Sequence, residues 1–227
     1  MQTNPRSPGE MALLDDDLPV QFVPALNDLA DRLDGDADGA IWDRHIPTGV
    51  QTWLDRLAPE MLPHGRFVLA PNLVSTCVAA LLRATGIAET PAWQWFRQDA
   101  QTLANALSRR FQWQSLRLRL EPVFDNSCAK MHVDNVVARL ICTYRGPGTE
   151  LGTDTTGQSV IASVPTGMPI LLKGTKWPAP PHPRLRHRSP QIADTGLSRL
   201  VLVLEGVSAE DVLPQHDVVF RGTHDAR

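Results

Sequence analysis

The three cysteines, Cys77, Cys128 and Cys142, form no C-x-x-C pair anywhere in the 227 residues. Their scatter argues against a disulfide framework or a cysteine zinc knot, and it fits a reducing compartment. No run reaches the roughly 18 apolar residues that a membrane-spanning helix requires. The opening stretch, "MQTNPRSPGEMALLDDDLPVQF", lacks the basic start and long apolar core of a secretion signal. A cytoplasmic protein with no membrane contact is therefore expected. Charge is nearly balanced at a net −3, which gives no electrostatic basis for general nucleic-acid binding. Tyrosine is scarce too: Tyr144 is the only one.

What remains is ordinary for a globular chain, at 42% apolar and 21% charged residues. The length suits one sizeable domain, or a core with a helical extension. Nothing in the sequence sets an oligomeric state. Residues 1–23 read as a flexible N-terminus, polar and Pro-containing at their start. Residues 24–112 read as a helical segment. Leu26, Leu29 and Leu33 recur at helical spacing before Gly35, and Val50, Trp53, Leu54 and Leu57 repeat the pattern. Val74, Cys77, Val78 and Leu81 form a third apolar face. Thr90 and Pro91 then open a fourth helix as N-cap and first residue.

After residue 112 the periodicity changes to two. Leu116, Leu118 and Leu120 alternate with Arg117, Arg119 and Glu121, as in a half-buried strand. "VVARLICTY", "SVIASVP", "MPILLKG" and "SRLVLVLEG" are further short apolar runs bounded by Pro or Gly. The spacing predicts an α+β protein. Residues 113–213 would form a jelly-roll or cupin-like barrel, the helical half would pack around it, and residues 214–227 would be a tail.

"MHVDNVV" places His132 and Asp134 two residues apart, hence on one face of an extended segment. With 7 His and 18 Asp in the chain, about 0.5 such pairs arise by chance, so the pair alone decides nothing. A third ligand from a neighbouring strand would decide it. His187 in "LRHRSP" is the best candidate, 53 residues after Asp134 and just before the last clear strand. Two His and one carboxylate leave three metal positions open, as in non-haem Fe(II) oxygenases. A 2-oxo acid can chelate such a metal, and its far carboxylate then wants an arginine fork. Arg199 opens "RLVLVLE", where Val201 and Val203 would share its face and Leu200 and Leu202 the other. The competing readings are a polar pair at a strand entry, a loop histidine in a basic cluster and an arginine paired with a protein carboxylate.

The order "HVD", "HRSP", "SRLVLVLE" resembles the double-stranded β-helix oxygenases that use Fe(II) and 2-oxoglutarate. More closely, "C-x-x-x-HVDN-x-x-x-RL-x-CTYRGPGTE", "HRSP" and "RL-x-L" resemble the bacterial DUF1826 family, over roughly Cys128 to Leu204. The resemblance implies a metal held by His132, Asp134 and His187, with 2-oxoglutarate as cosubstrate on Arg199. The partner would be a small molecule or a substrate of a kind the sequence does not identify. A zinc protein without catalytic activity, on the same barrel, is the alternative; a metal-dependent hydrolase or isomerase is a third.

Tyr144 lies at an even offset from His132, so an unbroken strand would aim its hydroxyl at the cosubstrate. Arg139 falls on the opposite parity and reads as a structural ion pair. Glu150 is expected to contact substrate or a nearby Arg, and Cys128 and Cys142 to be small buried residues. Lys173 and Trp177 are weaker pocket candidates, and His182 is a weaker ligand between two prolines. His216 and His224 read as solvated tail residues.

Overall fold

The alternation of Leu116, Leu118 and Leu120 with Arg117, Arg119 and Glu121 becomes strand β4 (Leu116–Val123) and sorts its residues onto two faces. The computed structural model describes residues 18–126, 128–153, 162–208 and 218–219. An eight-stranded mixed sheet dominates. Its order is β1 (Val20–Val23), β2 (Gly39–Trp42), β8 (Pro169–Lys173), β5 (Ala138–Arg145), β10 (Arg199–Gly206), β4, β3 (Gly65–Leu69) and β11 (Val218–Val219). The β1–β2 and β3–β11 pairs are parallel and the rest antiparallel. A small second sheet orders β7 (Ala162–Ser163), β6 (Glu150–Gly152) and β9 (Arg186–Arg188). The α+β class is as expected.

Four helices cover one face of the large sheet: α1 (Asp28–Leu33), α2 (Thr48–Arg56), α3 (Val74–Ala84) and α4 (Pro91–Phe111). In α4 the Thr90 side chain accepts from Trp93 N at 3.1 Å, and Pro91 occupies the first helical position. Leu118, Leu120, Leu140, Leu202 and Leu204 pack from the sheet against Trp93, Phe96, Leu103 and Leu107 of α4 and the other helices. Each fully buried leucine stabilises the fold by about 2 kcal/mol. The other face carries a second core, in which Ile141, Ile170, Leu172, Val201 and Val203 meet Leu151 and Ala162 of the small sheet. Among the described residues, no helix is long and apolar enough to cross a membrane.

The first half differs from expectation. Residues 24–112, read as helical, also supply β2 and β3, and β1 falls within the stretch read as flexible. Strands of four or five residues are too short to show a two-residue period beside longer helical repeats. The expected disorder at the N-terminus and the tail histidines His216 and His224 lie outside the described residues.

A buried polar network pins the helices to the sheet. Arg44 forms an ion pair with Asp99 of α4, donating to its Oδ2 at 2.8 Å, and Tyr144 of β5 donates to the same oxygen at 2.5 Å. Burial and the adjacent Asp99 carboxylate push the Tyr144 hydroxyl well above its usual range, so it remains a proton donor. Asp99→Ala strands Arg44 in the core and is expected to cost about 3–5 kcal/mol in urea denaturation. Tyr144→Phe leaves the ion pair intact and is expected to cost only about 1–2 kcal/mol.

Candidate metal centre

His132 and His187 face each other as an isolated antiparallel backbone pair. Each N–H donates to the other's carbonyl, at 3.1 and 3.0 Å. Directly opposed residues project to the same side, and the two imidazole centroids lie 4.5 Å apart. Asp134 follows two residues later. Its Oδ2 lies 3.1 Å from His187 Nε2 and its Oδ1 3.5 Å from His132 Nε2. One nitrogen or oxygen from each residue lies within 4.8 Å of the others. The three residues selected from the sequence therefore converge.

Surrounding groups orient these atoms. His132 Nδ1 lies 2.8 Å from the Lys130 carbonyl, which fixes the proton on Nδ1 and leaves Nε2 a lone pair. Arg139 forms an ion pair with Asp134 Oδ1 and, through its other nitrogens, with Glu205. Asp134 Oδ2 is buried and has no aligned hydrogen-bond donor. Burial pushes the Asp134 carboxyl up, but the two imidazoles and Arg139 hold it net well below the usual carboxylate range. Contact with Asp134 raises His132, whereas burial lowers His187 and keeps it neutral. Two imidazole nitrogens and a carboxylate oxygen are the donor set of a facial two-histidine, one-carboxylate metal site. The residues fit a divalent metal.

Two glycines permit the close approaches. A Cβ on Gly174 would meet Val136 O at 2.0 Å and Asp134 O at 2.8 Å. Its absence lets residues 134–136 lie against the end of β8, where Thr175 N donates to Asp134 O at 2.8 Å. Gly146 has φ +77, and a Cβ there would meet Ser198 O at 2.3 Å, beside the start of β10.

Arg199 is 1% exposed. Its Nε donates to Pro147 O at 2.7 Å, Nη1 to Ser189 Oγ at 3.0 Å and Nη2 to Thr143 Oγ1 at 3.2 Å. All three acceptors are neutral, and among the described residues no carboxylate forms an ion pair with it. Burial depresses its guanidinium to about 10, with Glu150 pulling the other way. Ser189 stands two residues beyond His187 and ties Arg199 to the strand that carries His187. Val201 and Val203 share the Arg199 face, as the alternation implied.

The structure does not bring Tyr144 to this cluster. Residues 133–137 break the extended run, so parity restarts at β5 and the even positions face the helices. Tyr144 instead joins Asp99 and packs edge-on against Phe96 at 4.7 Å. The same restart turns Arg139 and Thr143 toward the site. Arg139 makes the expected ion pairs, one of them with a metal-ligand candidate. Cys142 is buried as expected, whereas Cys128 is exposed, in a turn with φ +57 where its carbonyl accepts from Ser189 N. Glu150 pairs with Arg188 at 2.7 Å. Lys173 points to the helix side, donating to Gly35 O at 3.2 Å with Trp177 beside it. His182 is exposed and outside the cluster. Ser189 and Thr143 were missed in the sequence, although "HRSP" and "CTYRGPG" contain them.

Together these features define an α+β protein in which two histidines and one carboxylate converge at β9 of the small sheet, beside Arg139 of the large one. Residues 24–205 match the family described as "Protein of unknown function (DUF1826)", and the chain belongs to that family. No curated protein matches it. Among solved structures it is similar to dioxygenase for auxin oxidation 1 from Arabidopsis thaliana, a binary complex with 2-oxoglutarate. That likeness has 10% identity, covers 87% of this chain and 96% of the other, and has a TM-score of 0.52. It marks a shared fold. Similarity also extends to the rice dioxygenase for auxin oxidation, at 12% identity over 86% and 84% of the two chains, with a TM-score of 0.47. A Pseudomonas putida prolyl-4-hydroxylase gives 12% identity over 81% and 91%, with a TM-score of 0.45.

The depressed Asp134 carboxyl contributes stability that is present above its unfolded value near pH 4 and is lost as pH falls below it. Urea denaturation of the metal-free protein between pH 3 and 7 is expected to show this acid limb. Asp134→Asn should flatten it.

Proposed function

We propose that the chain is an oxygenase that uses Fe(II) and 2-oxoglutarate to hydroxylate an organic substrate. The two sheets are read here as the halves of a double-stranded β-helix. The observation that carries the reading is Arg199: a cation buried to 1% exposure, satisfied only by neutral oxygens, and tied through Ser189 to the strand bearing His187. A buried charge without a counter-ion is costly, and a bound dicarboxylate offsets that cost.

His132, Asp134 and His187 would hold the metal, and Arg199 the far carboxylate of 2-oxoglutarate. Bound iron would supply the activation of O2 coupled to decarboxylation of the 2-oxo acid. Arg139 would keep Asp134 Oδ1 engaged so that Oδ2 faces the metal, and the Lys130 carbonyl would hold the His132 ring in one tautomer. Ile141, Val201 and Val203 would exclude water beneath the cosubstrate.

Anaerobic titration with Fe(II) and 2-oxoglutarate is expected to give a visible metal-to-ligand charge-transfer band. His132→Ala should abolish the band. Arg199→Gln should raise the 2-oxoglutarate requirement by about 30- to 150-fold, the value of a charge-assisted fork of about 2–3 kcal/mol. Protons compete for His132, whose pKa is raised by Asp134, so metal affinity should fall as pH drops through that value. A wild-type protein that purifies with stoichiometric zinc, shows no band after exchange into Fe(II) and forms no succinate would sink the reading.

A further inference from the structure

One row across three strands of the large sheet carries Arg117 of β4, Glu205 of β10 and Arg139 of β5, each directly opposite its neighbour in antiparallel register. Alternating charge in such a row is favourable by itself, as a scaffold contact. The way the nitrogens of Arg139 are shared out goes further.

Glu205 is 2% exposed. Its Oε1 forms an ion pair with Arg117 Nη1. Its Oε2 accepts from Arg139 Nε at 2.7 Å and is also paired with Nη2 of the same guanidinium. That single oxygen therefore holds two of the three Arg139 nitrogens. Only Nη1 turns to the metal-ligand candidate, where it pairs with Asp134 Oδ1. Asp134 Oδ2 makes no hydrogen bond with Arg139. It lies instead 3.1 Å from His187 Nε2, inside the cluster of ligand atoms.

An unrestrained arginine beside a carboxylate would not stop at one contact. The guanidinium holds its N–H donors in a rigid plane and closes on both carboxylate oxygens with parallel bonds. Such a pair would occupy the Asp134 oxygen that faces the imidazoles, and a metal would have to break it. We propose that Glu205 is a positioning residue for the metal centre. By holding Nε and Nη2 of Arg139, it limits that arginine to one contact with Asp134 and leaves Oδ2 for the metal. Glu205 acts through Arg139 alone. The role rests on the reading proposed above in one respect, that His132, Asp134 and His187 hold a metal, and needs neither 2-oxoglutarate nor O2.

Titration of the metal-free protein with Co(II), followed by its visible d–d absorption, tests this role without cosubstrate or substrate. Glu205→Gln keeps the side-chain size and removes the charge that holds the fork. It should weaken Co(II) binding about 10- to 100-fold, the usual effect of losing a group that orients a metal ligand. In an Arg139→Gln background there is no fork to restrain, and Glu205→Gln should change the affinity by less than about twofold. Arg117→Gln breaks the other ion pair of Glu205 and should leave Co(II) affinity within about twofold of wild type. If Glu205→Gln does not fold, Glu205→Asp carries the same test. It keeps the charge but draws it back by one methylene, and its loss of affinity should likewise vanish in the Arg139→Gln background. Wild-type affinity in Glu205→Gln, an equal loss in both backgrounds, or an equal loss in Arg117→Gln would overturn the role and mark Glu205 as scaffold only. A wild-type chain that binds no Co(II) would instead remove the metal centre, and the oxygenase reading and this role with it.

Discussion

Two backbone hydrogen bonds between His132 and His187 are the constraint on which the centre depends. They join residues 55 positions apart. Closing a loop of that length costs about 3.5 kcal/mol plus a constant, far more than two hydrogen bonds contribute at about 1 kcal/mol each. The long β5–β10–β4 ladders and the two apolar cores must therefore supply the difference. Once the pair is made, both imidazoles lie on one side of the backbone, and Asp134 arrives between them because it is two residues from His132.

The surrounding charges follow from that placement. A carboxylate held between two imidazoles needs a cation to stay ionised while buried, and Arg139 provides it from the neighbouring strand. Arg139 would itself be overcharged there without Glu205, which in turn engages Arg117. This chain of alternating charge ends in balance. Arg199 stands outside it, satisfied by a backbone carbonyl and two hydroxyls. The contrast separates charges that are paired within the scaffold from one that meets only neutral oxygens.

Much of the site was legible because strand parity is a strong local rule. Arg199, Val201 and Val203 share a face in the structure as their alternation implied, and Leu116, Leu118 and Leu120 pack on the other side as expected. The rule failed for Tyr144 at the point where its premise failed. Residues 133–137 leave the extended conformation to wrap against Gly174, and a break of this kind resets which residues point inward. Nothing local announces it, because the pressure to bend comes from a backbone close by in space and some 40 residues away in sequence. The short strands β2 and β3 escaped notice for a related reason: four or five residues carry too little pattern, and their antiparallel partners, β8 and β4, lie in the second half of the chain.

The sequence by itself determined which two histidines and which aspartate converge, the two-face patterning of the strands, the start of α4 and the family. Each of these rests on residue type or on spacing within one element, which sterics and periodicity fix locally. Tertiary structure alone decided that Arg139 braces Asp134, that Tyr144 serves the helix layer and that Arg66 stands opposite Arg119. Those facts depend on register between strands distant in the chain, and register is set by the packing of whole faces rather than by any short stretch of residues.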